Sequence, residues 1–242
     1  MKAPNLRRRG TATLTDEQLT LAWQSASLLL GYPDQQLLDR LEVVRQAAQE
    51  LPEPVGRPLL AVVAGLGAAA LPELEADYVE TFDGRRRHNL FLTYFAHGDT
   101  RKRGMALLRF KQTYLASGFE LTDTELPDHL CVVLEYAATI DQQQGRRLIL
   151  DHRAGLELLR ISLTEAGSRW AGAVEAVTAT LPPLRGDEWD AVRRLAAEGP
   201  PEEEVGLTPY ATPAFDPGPA RPDGPTLLPM PSFPAVSPPG AG

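Results

Sequence analysis

Cysteine is almost absent from this sequence: its 242 residues include only Cys131. A single cysteine excludes an internal disulfide and nearly excludes a cage of thiolates around a metal. The four histidines show none of the short spacings that place two imidazoles on one face of a metal-binding helix. So little cysteine is typical of a reducing compartment. We therefore expect a cytoplasmic protein with no metal and no cofactor of its own.

Excess positive charge and long apolar runs are also lacking. The 24 Lys and Arg residues are outnumbered by 32 Asp and Glu, and the net charge is −8. This balance disfavours a general nucleic-acid binder, which needs a basic face to displace counterions. No apolar run approaches the roughly 18 residues of a membrane span. Arg7-Arg8-Arg9 suggests a twin-arginine signal, but the polar stretch 11–20 follows it, so we expect no export signal.

Proline is unevenly distributed, with 13 of the 22 prolines in residues 199–242. Six of the 20 glycines lie there too, and aliphatic residues are few. Such a segment buries too little apolar surface to offset the entropy of ordering it. We predict a Pro-rich disordered C-terminal tail, and we favour a passive extension over a proline-rich docking ligand.

The rest of the chain carries repeated helix signals. Thr15 and Gln18 form a capping box, and Gly31-Tyr32-Pro33 ends the helix that follows. Asp34 opens a second helix, residues 52–58 are interpreted as a linker, and further helices are predicted over about 58–70 and from residue 72. Pro127 suits the first turn of a later helix.

These patterns predict an all-α protein. No run of alternating apolar residues, hairpin dipeptide or internal repeat is present. We expect a flexible N-terminus over residues 1–14, a single helical-bundle domain over 15–198 and the disordered tail over 199–242.

The densest polar segment lies between residues 77 and 111. Its cations are Arg85, Arg86, Arg87, Arg101, Lys102, Arg103, Arg109 and Lys111, and from residue 85 onward its one acid is Asp99. A solvated helix face is one interpretation. A recognition surface, with these cations among Phe91, Tyr94 and Phe95, is another. A helical DNA-binding regulator using residues 85–103 is a weaker alternative, because the whole chain is acidic.

A second polar group contains Asp128, His129, Glu135 and Tyr136. On a continuous helix, Asp128 and Glu135 are seven apart and share a face, with the other two on the adjacent stripe. Two carboxylates can serve acid–base chemistry, but no nucleophile or metal spacing accompanies them, which disfavours a small hydrolase. His129 is either a satisfied buried histidine or part of a groove lining for a basic peptide. Cys131 is interpreted as a small core residue.

Several blocks in fixed order resemble a known family. They are YVETFD at 78–83, LFLTY at 90–94, GDTRKRG at 98–104 and the stretch 125–136 with its Pro-Asp-His-Leu tetrad. They are similar to the nitrate reductase assembly chaperones of the delta-subunit or NarJ type, within the wider TorD/DmsD redox-enzyme maturation group. The resemblance covers roughly residues 18–165. Phe91 and Phe95 stand where the family suggests tyrosine, and Cys131 where it often has proline.

The resemblance implies an all-helical, non-catalytic cytoplasmic chaperone. Its client would be the catalytic (alpha) subunit of a membrane-bound respiratory nitrate reductase, or the alpha–beta complex, bound chiefly by the N-terminal peptide. The chaperone would permit molybdenum cofactor insertion before membrane docking. We expect no nucleic-acid partner, no stable membrane association, and a monomer or weak dimer. The match to the family blocks suggests these client-peptide contacts: Tyr94, Asp99, Arg103, Asp128, His129, Glu135 and Tyr136.

Overall fold

The structure is a computed structural model that describes residues 14–122 and 125–200. The predicted flexible N-terminus, up to residue 13, and the predicted tail, from residue 201, lie outside the described residues. The eleven α-helices of the described chain are α1 (Asp16–Leu30), α2 (Gln35–Gln49), α3 (Glu53–Gly67), α4 (Leu71–Phe82), α5 (Tyr94–His97), α6 (Arg101–Ala116), α7 (Leu130–Thr139), α8 (Gln142–Asp151), α9 (Arg153–Glu165), α10 (Ala171–Ala179) and α11 (Gly186–Glu198).

The prediction of an all-α protein is confirmed. The described ranges contain no β-strand, and their one β-bridge joins Phe91 to His129. A short 3-10 turn, Arg86–His88, precedes α5. Within the same ranges, no helix has both the length and the apolar character needed to cross a bilayer.

Helix α1 is central to the core and packs against α7 and α10. Its Trp23 is fully buried, and the indole Nε1 donates to Thr180 Oγ1 at 3.0 Å. Ser27 Oγ donates to the carbonyl of Cys131 on α7 at 2.9 Å. These two bonds tie α1 to the residue that ends α10 and to the first turn of α7.

Two sequence expectations about helix starts are wrong. Residues 52–58 are not a linker, because α3 begins at Glu53 and includes Pro54 and Pro58. A proline in the first helical turn removes an amide that has no intrahelical partner, so Pro54 is tolerated there. Pro127 is not in a first helical turn either, because α7 begins three residues later at Leu130.

The chain between α4 and α7 forms a long connection that contains two further helices. It contains the 3-10 turn, α5 and α6, and α6 buries only Phe110 and Tyr114. The hydroxyl of Tyr114 donates to the carbonyl of Pro127 at 2.6 Å. Helix α6 is therefore held against the segment that leads into α7, and this junction contains most of the residues that sequence analysis selected.

Candidate functional site

Asp128 is completely buried in the turn before α7 and is the centre of the candidate site. Its Oδ2 accepts the backbone amide of Thr93 at 3.1 Å and the hydroxyl of Thr93 at 2.5 Å. Two backbone bonds run beside this contact: Leu92 N donates to Asp128 O at 3.0 Å, and Leu130 N donates to Leu90 O at 2.8 Å. The segment before α5 is thus fastened to the segment before α7.

Arg103 connects α6 to the same cluster. Its Nε donates to Thr93 Oγ1 at 3.2 Å, and its Nη1 donates to Asp99 Oδ1 at 3.2 Å. Its Nη2 lies 3.6 Å from Asp128 Oδ2 as an ion pair. The guanidinium also lies over the ring of Phe91, 5.2 Å from the centroid. One side chain therefore joins the start of α6 to both fastened segments.

His129 is partly buried beside this cluster. Its ring meets that of Phe91 edge to face, with centroids 5.1 Å apart. Burial lowers the pKa of His129 below its ordinary value, and this outweighs the opposite influence of Asp128 and Glu125. The imidazole is therefore neutral near pH 7, and recognition that depends on its charge would require a more acidic solution.

Glu135 and Tyr136 lie further along α7 than the Asp128 cluster. The expectation that Asp128 and Glu135 share a helical face is wrong, because Asp128 precedes the helix and points inward to Thr93. Glu135 is exposed. Tyr136 is buried, and its hydroxyl pairs with Ser117 Oγ at 2.7 Å. Burial raises the pKa of Tyr136, so its hydroxyl stays protonated.

The aromatic residues of the basic segment do not form an open surface together. Tyr94 and Phe95 are buried, and only Phe91 is partly exposed. The cations do not share one face either. Arg103 turns inward to Thr93, and Arg87 donates through Nη2 to the carbonyl of Ala196 on α11 at 3.0 Å. Nothing in this arrangement supports the DNA-binding alternative.

The structure thus brings together four of the seven predicted contacts: Asp99, Arg103, Asp128 and, through Phe91, His129. Asp99 is 79% exposed along its side chain, whereas Asp128 is enclosed. Thr93, which links Asp128 to Arg103, was not selected from the sequence. Its place in the LFLTY block is the one sequence signal for Thr93. No sequence rule relates that threonine to Asp128, which lies 35 residues further along the chain.

Other chemistry on α7 is limited. Burial raises the pKa of the Cys131 thiol to about 12, which keeps it protonated and unreactive. In the ranges 14–122 and 125–200, no group of three His, Cys, Asp or Glu side chains is placed to hold a metal ion.

Comparison with known proteins identifies the family. The family model described as "Nitrate reductase delta subunit" matches residues 48–176. The "Probable nitrate reductase molybdenum cofactor assembly chaperone NarJ" of Bacillus subtilis is 34% identical over 168 residues, which cover 69% of this chain and 90% of that protein. The "Nitrate reductase molybdenum cofactor assembly chaperone NarJ" of Escherichia coli K12 is 32% identical over 148 residues, covering 60% of this chain and 63% of that protein.

A larger protein contains a similar segment. The "Nitrate reductase-like protein NarX" of Mycobacterium tuberculosis H37Rv is 40% identical over 160 residues, which cover 66% of this chain. The match spans 24% of that protein, about a quarter of its length. The family model covers more than half of the present chain and includes the whole Thr93–Asp128–Arg103 cluster. The chain therefore belongs to the nitrate reductase delta subunit family.

Proposed function

We propose that this protein is an assembly chaperone for a membrane-bound respiratory nitrate reductase. It binds the catalytic (alpha) subunit, alone or with the beta subunit, and it keeps that client open while the molybdenum cofactor is inserted. It acts in the cytoplasm before the client docks on the membrane, and it catalyses no reaction itself. The observation that carries the proposal is the family match, together with a relative named as such a chaperone and matched over 90% of its length.

The client's N-terminal peptide binds around the junction of α5, α6 and α7. Asp99 and Glu135 are exposed acids, and Arg103 and His129 are partly exposed, so these four side chains contact the peptide. Tyr94, Asp128 and Tyr136 are buried and act by positioning the segments that carry the contacts. This division of roles is supported by the fastening of Thr93 to Asp128, which fixes the junction before any client arrives.

Binding is moderate and reversible in this mechanism. The peptide becomes an amphipathic helix whose apolar residues face the chaperone, while its basic residues meet Asp99 and Glu135. Folding on binding costs about 2–5 kcal/mol of the gross interaction energy. Moderate affinity suits a chaperone, because the client must leave once its cofactor is in place.

Calorimetry with the purified full chain and the client's N-terminal peptide tests the site. We expect saturable binding by the wild type and an about tenfold weaker affinity for the double variant Asp99→Ala with Glu135→Ala. The matched control, Asp39→Ala with Glu42→Ala, removes two exposed acids from α2 and should bind as the wild type does. Equal affinity of all three proteins would refute the site, and absence of saturable wild-type binding would refute the peptide interaction.

A cellular experiment tests the function independently of the site. Cells deleted for this chain should accumulate the nitrate reductase polypeptides with little molybdenum and little activity, and re-expression should restore both. A deletion strain with fully metallated, active enzyme would refute the chaperone function.

Two further measurements use the purified chain. Sedimentation should show a monomer or a weak dimer, and we expect no salt-dependent retention on duplex DNA.

A further inference from the structure

Helix α11 is held to the other helices by little buried surface. Of its 13 residues only Val192 is buried, whereas α10 buries five of its nine. The carbonyl of Ala196, near its end, accepts Arg87 Nη2 at 3.0 Å. Segments with few buried apolar contacts open locally at a lower free energy than the whole domain unfolds. We therefore expect α11 to detach while the other helices stay folded.

The residues between α10 and α11 form a hinge. Thr180 and Leu181 are buried, and Thr180 Oγ1 accepts the Trp23 indole, so α10 ends at a fixed point. Pro182 and Pro183 follow and are exposed. Proline has no amide to donate, so this pair adds no backbone hydrogen bond that would hold α11 to α10. Helix α11 can turn away at these two residues without moving α10.

Helix α9 carries an apolar stripe that α11 covers. One side of α9 faces the core, a second is directed at α10 through Arg153, and a third lies against α5 at Gly155. The remaining side carries Ala154, Leu158 and Ile161, which are four and three residues apart and so share one face. Leu158 is only 3% exposed, and α11 is the further helix that packs on α9. We call these three residues the α9 stripe.

A buried group of charges lies beside the α9 stripe. Glu157 pairs with Arg153 at 2.6 Å and with Arg160 at 2.7 Å, so two cations share one buried acid. Burial lowers the pKa of Arg153, and the carboxylate of Glu188 in the first turn of α11 acts in the opposite direction. The surface under α11 is thus matched to a helix that has one apolar side and an acidic first turn.

We propose that α11 is a displaceable strap over the α9 stripe, and that a helix of the client subunit with the same pattern takes its place. In α11 the inward side is apolar and the first turn is acidic: Trp189, Val192, Leu195 and Ala196, with Asp187 and Glu188. Amphipathic helices that bind in grooves use anchors at this spacing. The strap keeps an apolar surface covered until a client is present. The identity of the partner rests on the proposed chaperone function, whereas the movement of α11 does not.

Hydrogen exchange of the full chain, followed by mass spectrometry, tests the movement of α11. We expect the amides of α11 to exchange at least about tenfold faster than those of α9 and α10. Arg87→Gln removes the bond to Ala196 and should speed exchange in α11 further. Arg85→Gln removes a nearby exposed arginine and should not. Exchange of α11 no faster than that of α10 would overturn the proposal.

A fluorescently labelled peptide of residues 184–200 tests the α9 stripe by anisotropy. Val192→Glu places a charge in the contact and releases the strap, so this variant should bind the peptide at least about tenfold more tightly than the wild type, whose attached α11 competes at high effective concentration. Ala191→Glu adds the same charge on the exposed side of α11 and should behave as the wild type. Circular dichroism checks folding, and Leu195→Glu is a second releasing variant. Absence of peptide binding to a folded releasing variant would overturn the proposal.

Binding of the client's catalytic subunit, without its cofactor, tests the partner. The Val192→Glu chain should bind this subunit at least about threefold more tightly than the wild type, and the Ala191→Glu chain should match the wild type. Unchanged affinity, with peptide binding intact, would overturn the place of the client on the α9 stripe. A subunit that binds none of the three chains would refute the proposed function instead, and the exchange and peptide measurements would still decide whether α11 is a strap.

Discussion

Thr93 donates both its backbone amide and its hydroxyl to the same carboxylate oxygen of Asp128. The two residues are 35 positions apart, and both are fully buried. Asp128 also pairs with Arg103, which is bonded to Thr93 through Nε. All of these contacts involve Oδ2, whereas Asp128 Oδ1 and Arg103 Nη2 are buried without a hydrogen bond among the described residues. Removal of the carboxylate therefore leaves buried donors on Thr93 unpaired.

Asp128→Ala is expected to lower the free energy of unfolding by about 3–5 kcal/mol. The substitution leaves the two buried Thr93 donors without their acceptor and removes the carboxylate that faces Arg103 Nη2, although Arg103 keeps its bonds to Thr93 and Asp99. Urea unfolding followed by circular dichroism measures the change. Asp99→Ala, which removes the exposed carboxylate bonded to the same arginine, should alter the stability little. Similar losses in the two variants would contradict the central role of Asp128.

Glu157 is the second buried acid on which stability should depend. On α9 it pairs with Arg153 at 2.6 Å and with Arg160 at 2.7 Å, and burial lowers the pKa of Arg153 against the pull of Glu157. Glu157→Ala leaves a buried arginine without its counter-ion, so we expect a loss of about 3–5 kcal/mol. Glu53→Ala, from an exposed pair with Arg57, serves as the control and should cause no measurable change in urea unfolding.

The stability of the fold should fall on mild acidification because of two histidines. Burial lowers the pKa of His129 and of His152 below the ordinary 6.5, although a bond from His152 Nδ1 to Leu148 O partly opposes the change. The unfolded chain therefore binds more protons as the pH drops through 6.5, and the free energy of unfolding decreases from there down to the folded pKa values.

Urea unfolding between about pH 7.5 and about pH 5.5 measures this dependence. His129→Gln should show a shallower decrease than the wild type over the same interval. Titration of the His129 ring protons by NMR gives the folded pKa directly. A midpoint above 6.5 would show that Asp128 and Glu125, rather than burial, control this ring.

Two glycine-to-alanine changes should have opposite signs. At Gly155 on α9 an added Cβ would meet the Phe95 side chain at 2.7 Å, so Gly155→Ala should destabilise the protein by about 1–3 kcal/mol. At Gly104 on α6 an added Cβ would meet nothing within 4 Å, so Gly104→Ala should stabilise it by about 0.5–1 kcal/mol. Thermal unfolding of the two variants measures both changes. Effects of the same sign would contradict the packing of Phe95 on α9.

Helix boundaries that depend on local chemistry were predictable from the sequence. Thr15 and Gln18 form the expected reciprocal cap, at 3.1 and 3.2 Å. Asp34 caps α2 by accepting the amide of Leu37 at 2.7 Å. These signals lie within three residues of one another, so the sequence alone identifies them.

The candidate site was predictable only in part. The family blocks identified the right segments, but periodicity treated Asp128 as the first turn of a helix whose exposed face continued to Glu135. Its actual partner, Thr93, is on another segment, and no spacing rule connects residues 35 positions apart.

The start of α3 also depends on contacts that are distant in sequence. Pro58 lies inside that helix and is buried, with its carbonyl close to Gly172 on α10, so tertiary packing outweighs the local preference of proline.

Hydrogen bonds between residues 90–93 and residues 128–130 close the segment that contains α5 and α6 into a loop. The position of the remaining helices therefore does not depend on how long this loop is. Backbone hydrogen bonds fix both ends of this loop. Extra residues at an unpacked position inside it change mainly the entropy of loop closure, by about 0.6 kcal/mol for each doubling of the loop length. Gly118, just after α6, has φ +74° and open space around it. A reporter peptide inserted after it should leave the Thr93–Asp128 contact in place but release the end of α6, because Phe119 N donates to Tyr114 O at 3.0 Å and the Phe119 ring packs on Tyr114 and Tyr136.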